Sequence, residues 1–398
     1  MALPDVVIIG AGVVGAACAY YAAHSGLSVT VLDRGSIAGG TTAAGQGTAL
    51  AGNRPPGPVL DLAIESLRRW EDELAAELGA ARMQLSRTPA LAVARTEAER
   101  RALTELAAQQ RSAGLDAVEV PADELRDHEP LLAPDLAGGV VYSWSLQLDP
   151  VLATAHLLRA SGAEVRCGVD VRGVETDGGM RVTGVRTAAG ERLGCAAVVN
   201  AAGVWAGEVS RMVGTPLPVT PRRGFVLVTE ALGVARRPAP ARGGATTRRR
   251  TTPPIKNIVY AAGYADTITS DDAGPQLSTV VTCGRAGAVF VGASRERVGF
   301  DRSWPLPLLR QLAAGAVRLF PFLGDVSTVR VLRGFRPDTP DRLPIIGPDP
   351  WITGLFHACG HEGAGICLAP ATGALTAKLL AAGTAPVELF PFDPERFG

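Results

Sequence analysis

Four β-branched residues in succession, Val6–Ile9, lead into a turn of small residues, Gly10-Ala11-Gly12-Val13-Val14-Gly15, and then into an alanine-rich apolar stretch ending at Ser25. Gly26 closes that stretch, and Ser28–Leu32 is a second β-branched run ending on Asp33. A short apolar run bounded by glycine predicts a buried strand, and the longer stretch predicts a helix. The unit therefore reads strand, glycine turn, helix, strand, acid. No charged residue stands between Val6 and His24, a length near that of a membrane span. Three glycines break the segment, however, and Asp5 stands where a signal peptide carries positive charge. We therefore read it as part of a folded domain. No other run approaches a span, so no transmembrane segment is expected.

Leu60–Leu78 and Thr96–Ala113 have helical spacing with many charges, as peripheral helices do. Gln147-Leu148-Asp149-Pro150 opens a helix that runs through Ala160. Glu164–Arg166, Val169–Glu175 and Arg181–Arg186 read as short strands, and Ala196–Asn200 is an apolar strand entering Ala201-Ala202-Gly203. Farther on, Arg223–Thr229 is a candidate strand, and Leu277–Thr282 with Val289–Ser294, joined by Cys283–Ala288, reads as a hairpin. Strands alternating with helices at both ends of the chain, around an antiparallel middle, predict an α/β protein: a doubly wound domain interrupted by a second domain. The segment Arg236–Lys256 is crowded with Pro, Gly, Thr and Arg and contains Arg248-Arg249-Arg250. It reads either as a solvated loop or as a docking edge for an acidic partner.

With 398 residues the chain can bury two cores. Its 39 basic and 39 acidic residues balance, which removes any bulk electrostatic case for nucleic acid or an anionic membrane. The six cysteines are scattered singly with no C-x-x-C pair, so neither a zinc site nor an iron–sulfur cluster is indicated, and a reducing cytoplasm is the expected setting.

The glycine turn gives the first unit its chemistry. Gly10 allows the tight turn, Gly12 lets backbone approach a pyrophosphate, and Gly15 lets the helix pack close to the sheet. The helix N-terminus then faces negative phosphate, and Asp33 is placed to accept from ribose hydroxyls. Gly39-Gly40-Thr41-Thr42-Ala43-Ala44-Gly45-Gln46-Gly47 is a small polar loop suited to lie against a flat ligand. These features point to a bound dinucleotide.

Together with Val198-Val199-Asn200-Ala201-Ala202-Gly203-Val204-Trp205, Val291–Glu296, Gly334–Asp341 and Gly360-His361-Glu362-Gly363-Ala364-Gly365-Ile366, these motifs occur in an order that resembles the FAD-dependent D-amino-acid oxidase family, which includes glycine oxidase and sarcosine oxidase. The resemblance covers essentially the whole chain. Within the family it points to the flavin-bearing β subunits of D-hydroxyproline dehydrogenase, opine oxidase and hydrogen cyanide synthase. It implies a discontinuous Rossmann-like FAD-binding domain, residues 1–50, 148–216 and 331–398. Into it is inserted an α+β substrate domain on a mostly antiparallel sheet, residues 51–147 and 217–330.

The resemblance further implies FAD, which we expect to be held non-covalently. Gly10, Gly12, Val13, Val14 and Gly15 would meet the pyrophosphate, Asp33 the adenosine ribose, and Arg34 the adenine or pyrophosphate. Thr41, Thr42, Ala44, Gly45 and Gln46 would run along the ribityl chain and ring. Val171 would meet the adenine through its backbone, and Ala202, Gly203 and Trp205 would supply a second pyrophosphate contact. Gly360, His361, Gly363, Ala364, Gly365 and Ile366 would open the last helix against the flavin N1–C2=O edge. No cysteine lies in Arg330–Arg336, which leaves Cys359 and Cys367 as the candidates for covalent attachment.

In this family a small amino or imino acid loses a hydride from its α-carbon to flavin N5, and the imine then hydrolyses. Arg336 matches the residue that clamps the substrate carboxylate. Read from sequence alone, the alternative is a structural arginine bridging Asp338 or Asp341, and the family match favours the carboxylate role. Tyr260 and Tyr264 are candidates to hydrogen-bond the carboxylate or to wall the pocket, and equally core tyrosines. His361 would tune the ring or approach substrate, or serve as a structural hydrogen-bond partner. Gln46 stands where the family often has a hydrophobic residue, and its amide could bind substrate. Similarity to β subunits implies an oligomeric dehydrogenase with a second flavoprotein subunit and an iron–sulfur subunit on other chains. The alternatives are a stand-alone oxidase using oxygen, a flavin relay subunit without substrate chemistry, and an NAD enzyme.

Overall fold

A computed structural model of the chain describes residues 3–178, 180–232, 253–272, 274–382 and 391–398. The Arg248-Arg249-Arg250 run, and most of the segment expected to be a loop or docking edge, lies outside the described residues.

Val6–Ile9 sits near the middle of a six-stranded sheet whose order is Ile345–Pro348, Leu355–Cys359, Ala197–Asn200, Val6–Ile9, Val29–Asp33, Glu164–Cys167. Neighbours are parallel except the first pair. Val6–Ile9 and Ala197–Asn200 are buried at every position, which is why both read as unbroken apolar runs rather than alternating ones. The helix Val13–His24 follows, buried nearly all round, with helices Pro150–Ser161 and Gly365–Ala382 packed beside it. A helix apolar on every side belongs in a core, and this accounts for its span-like composition. The approach of the last helix is close: a Cβ on Gly373 would lie 2.7 Å from the carbonyl oxygen of Ala17. Among the described residues no helix is long and apolar enough to cross a membrane.

The second sheet has eight strands in the order Thr328–Asp338, Thr220–Ala231, Ala288–Arg295, Gln276–Cys283, Ile258–Ala261, Ala90–Ala94, Gly138–Tyr142, Ala117–Val120. All its pairs are antiparallel except Ile258–Ala261 with Ala90–Ala94. The Gln276–Cys283 and Ala288–Arg295 hairpin is as expected. The candidate strand at Arg223–Thr229 is longer, because it pairs along its length with Thr328–Asp338. That partner runs through the expected domain division at 330/331.

Asp149 caps the helix Pro150–Ser161 by accepting from the N–H groups of Val151 and Leu152, and Thr96 caps Glu97–Ser112 by accepting from Glu99. The stretch expected to be a peripheral helix at Leu60–Leu78 departs from that expectation. It starts at Pro58, changes from α to π winding at Arg69, and buries Leu60, Leu67, Trp70 and Leu74 completely. Trp70, Leu74 and Leu78 are four apart, a spacing that the wider winding keeps on one face. Trp70 Nε1 donates to the Ile366 carbonyl at 3.0 Å, tying this helix to the start of the last one.

Candidate active site

The two sheets face a common cavity of about 410 Å³. At one end lies the first glycine turn. Gly10 has φ +115°, and a Cβ there would lie 2.4 Å from the Ala201 carbonyl oxygen. A Cβ on Gly15 would lie 1.9 Å from the Gly10 carbonyl oxygen, so this glycine lets the helix pack on the turn and does not line the cavity. Gly12, Val13 and Val14 do line it. The Val13 N–H donates to Thr42 Oγ1 at 3.1 Å, which fixes the second loop against the helix start. Asp33 accepts from the N–H groups of Ala11 and Gly35 at 2.8 and 2.7 Å, so its carboxylate is held at the cavity wall. The Arg34 guanidinium stacks 4.0 Å from the Trp205 ring centroid and lies 3.9 Å from Glu208.

Thr41, Thr42, Ala44, Gly45, Val171, Ala202, Gly203 and Trp205 also line the cavity. A buried network holds the Ala202 turn. Asn200 donates to the Ala206 carbonyl at 2.9 Å, its Nδ2 is 3.3 Å from His357 Nδ1, and His357 Nε2 is 3.0 Å from Asp349. Burial pushes the Asp349 carboxyl up, but hydrogen bonds from His357, Thr215, Trp351 and Ile352 outweigh it and leave it below the ordinary value.

The other end of the cavity gathers Gln46, Tyr264, Ala293, Gly334, Arg336 and Glu362. Arg336 is largely buried at the end of the strand Thr328–Asp338. Its Nη1 donates to the Ser294 carbonyl at 2.7 Å, and its Nε lies 3.7 Å from Glu362 Oε1. Of five N–H donors, one Nη1 hydrogen and both Nη2 hydrogens remain without a partner among the described residues. The room comes from Gly224, where a Cβ would lie 2.1 Å from Arg336 Nη1. The sequence left open a structural bridge from Arg336 to Asp338 or Asp341, and the structure does not form it. Asp338 is engaged by Arg342 at 2.8 Å and Arg297 at 3.5 Å, and Asp341 by Arg396 at 2.7 Å.

Glu362 had no expected role and proves central. Its Oε1 lies 2.9 Å from Arg295 Nε, 3.7 Å from Arg222 Nη1 and 3.7 Å from Arg336 Nε, while Oε2 accepts from the Gly363 N–H. Burial pushes its carboxyl up, but Arg295, Arg336 and Arg222 prevail and hold it at about 2. Burial pulls the Arg336 pKa down, as does the nearby Arg295. The signal in the sequence was an acid inside a glycine-rich motif; Arg222 and Arg295 lay one residue outside the expected strands Arg223–Thr229 and Val289–Ser294, which the structure extends to include them.

The remaining candidates divide. Tyr264 lines the cavity, with its hydroxyl 3.4 Å from Arg295 Nη2. Tyr260 does not line it: its side chain is buried behind, its ring 5.8 Å from that of Tyr264, and burial with the neighbouring Tyr142 pushes its hydroxyl well above the ordinary value. The strand Ile258–Ala261 points Tyr260 into the core before the chain turns into the short helix carrying Tyr264. Gln46 lines the cavity, but Nε2 is 3.3 Å from the Val280 carbonyl and 3.2 Å from that of Phe290. Its amide N–H groups therefore tether the loop to the hairpin, so the amide that the sequence suggested could bind substrate has its donors engaged within the protein.

His361 lines the cavity and is buried, with Nε2 3.0 Å from Thr372 Oγ1. Burial pulls its pKa down to about 3, so it is a neutral hydrogen-bonding group, and the geometry is that of a structural partner rather than an acid–base catalyst. Gly363, Gly365 and Ile366 line the cavity. Gly360 and Ala364 do not: Gly360 (φ +73°) turns the chain, and the Ala364 N–H is taken by the His361 carbonyl. As the opening of a helix, Gly365 and Ile366 have N–H groups with no intrahelical acceptor. Cys359 is buried at the wall with its thiol pushed up to about 12, which disfavours the thiolate that covalent attachment requires. The Cys367 sulfur is turned to the Leu50 carbonyl at 3.5 Å.

A model of the DAO family, described as FAD dependent oxidoreductase, matches residues 5–379. The chain is 31% identical to hydrogen cyanide synthase subunit HcnC of Pseudomonas aeruginosa over 436 aligned positions, covering 99% of this chain and 96% of that protein. It is 28% identical to glycine oxidase of Pseudomonas putida, covering 98% of each. The crystal structure of glycine oxidase from Geobacillus kaustophilus superposes with a TM-score of 0.82 at 26% identity, covering 98% of both chains. With the family model matching residues 5–379 and a relative 31% identical over 99% of the chain, the chain belongs to the DAO family of FAD-dependent oxidoreductases.

Proposed function

We propose that the chain oxidises the C–N bond of a small amino or imino acid by hydride transfer to the flavin, and that it works as the flavin-bearing β subunit of a dehydrogenase complex. The observation that carries the substrate class is Arg336, whose guanidinium ends the cavity with three N–H donors left over. A planar fork of this kind suits a carboxylate. Glycine oxidase supports an amino-acid substrate, and HcnC, named as a subunit, supports an assembly.

The residues present fit FAD. Side chains are absent where a pyrophosphate needs backbone contact, at Gly10 and Gly12, and the helix from Val13 presents its N-terminus there. Asp33 would accept from the adenosine ribose, Arg34 over Trp205 would cover the adenine side, and Val171 would meet the adenine. Thr41, Thr42, Ala44 and Gly45 would border the ribityl chain and ring. Ala202, Gly203 and Trp205 would supply the second pyrophosphate-side contact, and the N–H groups at Gly365 and Ile366 would meet the ring edge that becomes electron-rich. FAD supplies the two-electron acceptor. The protein supplies orientation: Arg336 anchors the carboxylate and Tyr264 walls the substrate.

The test is anaerobic titration of the purified flavoprotein with D-proline, cis- and trans-hydroxyproline, sarcosine, glycine, D-alanine and opines, followed by air. Bleaching that persists in air is the expected result. Bleaching with rapid recovery and peroxide would replace the dehydrogenase subunit by a stand-alone oxidase, which the glycine oxidase similarity favours as second reading. No bleaching by any member would overturn the substrate class.

A further inference from the structure

Three arginines from three strands of the antiparallel sheet converge on one carboxylate. Arg222 and Arg336 are directly paired residues of Thr220–Ala231 and Thr328–Asp338, and Arg295 ends the strand Ala288–Arg295. All three, and Glu362 itself, are largely or fully buried. Arg222 donates through its two Nη atoms to the carbonyls of Thr267, Ile268 and Ser270 and to Gln276, while its Nε has no hydrogen-bond partner. Arg295 donates to Thr267 Oγ1 at 3.0 Å and reaches the Tyr264 hydroxyl at 3.4 Å. Two of the arginines therefore hold the short helix Tyr264–Thr269, which carries one wall of the site, while the third keeps donors facing the cavity. Glu362 has φ +47°, a conformation that a residue with a long side chain adopts only where its surroundings enforce it, and such residues concentrate at functional sites.

We infer that Glu362 is a positioning residue: its buried carboxylate fixes the Arg336 clamp and, through Arg295, the Tyr264 wall in one register, so that the spare Arg336 donors are held ready for a carboxylate. This rests on the Arg336 reading given above. Glu362 is the acid on which all three guanidinium groups converge; Asp338, the second buried acid that acts on Arg222 and Arg336, is bridged by Arg342 and Arg297, and a bound carboxylate adds a further negative charge. Without Glu362 the arginines repel one another, and Arg336 has only the Ser294 carbonyl to orient it. Misplacing a binding group by an ångström weakens its action by about 10- to 100-fold.

The experiment uses the FAD-bound protein and follows the change in flavin absorption as acetate or propionate is added. Arg336→Ala, Glu362→Gln and Glu362→Asp are compared with wild type. Then, with the best substrate of the panel, the half-saturating concentration and the limiting rate of anaerobic bleaching are measured separately. Expected are weaker acetate binding by about 10- to 100-fold in Glu362→Gln, a matching rise in half-saturation with a smaller change in limiting rate, and partial recovery in Glu362→Asp. If Arg336→Ala loses acetate while Glu362→Gln binds as wild type does, the positioning role falls and the clamp stands. If Arg336→Ala itself binds acetate as wild type does, the clamp falls and the positioning role falls with it. Should Glu362→Gln yield no flavoprotein, Thr267→Val removes one Arg295 contact without altering charge. Weakened acetate binding there, with Glu362→Asp also weakened, supports the proposal, and wild-type binding in both overturns it.

Discussion

Replacing Arg336 by alanine should remove carboxylate recognition and leave the flavin. Its contacts in the protein are the Ser294 carbonyl and the flank of Glu362, and Glu362 keeps Arg295 at 2.9 Å, so the cluster retains a charge partner. Three N–H donors are left for substrate, enough for a two-pronged contact. Two hydrogen bonds to a charged group, at about 1.5 kcal/mol each, amount to about 3 kcal/mol, or about 100-fold in half-saturating concentration. Arg336→Lys keeps the charge but has one ammonium for the Ser294 carbonyl, Glu362 and substrate together, so about tenfold of that loss should remain. The assay is anaerobic flavin bleaching with paired substrates that differ only in the carboxylate, such as D-proline and pyrrolidine. Wild type should prefer the acid, and Arg336→Ala should bring the two close to parity because pyrrolidine has nothing to lose. If the alanine variant, carrying a full complement of FAD, keeps the wild-type preference, the carboxylate is recognised elsewhere and the clamp assignment fails.

Other perturbations separate binding, structure and chemistry. Gly12→Leu should give protein without flavin, since even a Cβ there would lie 3.3 Å from Thr42 Oγ1 and the side chain would enter the cavity; stoichiometric yellow flavin would contradict it. Tyr260→Phe should leave bleaching kinetics as in wild type, whereas Tyr264→Phe should raise half-saturation by about threefold through the lost contact with Arg295, worth about 0.6 kcal/mol; equal effects would show that the two tyrosines are not distinguished. His361, pulled by burial from 6.5 to about 3, binds a proton in the unfolded chain before it does in the folded one. Its contribution to stability is therefore complete above pH 6.5 and declines as pH falls, by up to about 1.4 kcal/mol per pH unit. Glu362, ordinarily at 4.5 and held at about 2, adds its own loss only below pH 4.5. Between pH 6.5 and 4.5 denaturant unfolding of His361→Gln should thus show a shallower slope than wild type, and parallel slopes would mean that the histidine is not buried neutral.

What could be seen in the sequence follows the range of the forces involved. The unit Val6–Asp33 was legible because each of its devices is local: a strand apolar on both faces, glycines at the turn, and an acid at the strand end. The helix at Pro150 was legible for the same reason, since Asp149 caps it two and three residues away. Tyr260 and Tyr264 could not be separated, because between them the chain leaves a strand and enters a helix and neither periodicity spans both. The helix at Leu60–Leu78 showed its charges but not its burial, because the surface it packs on comes from the far end of the chain.

The arginine cluster illustrates the limit most clearly. In an extended strand Arg222 and Arg223 point to opposite faces, and so do Arg295 and Glu296. On one face Arg223 makes a paired contact with Glu296 at 2.9 and 3.0 Å, joining adjacent segments of the sheet. On the other, Arg222 and Arg295 meet Glu362, which arrives from the glycine loop before the last helix. Alternation alone could have sorted these four residues into two networks once the strands were aligned. It could not say that three arginines converge on Glu362 on the cavity side while the second buried acid there, Asp338, is already bridged by Arg342 and Arg297, and that imbalance is the chemical content of the site. A face with matched charges locks two strands together; a face with surplus buried cations, some donors still free and an open cavity in front, is arranged to take up an anion.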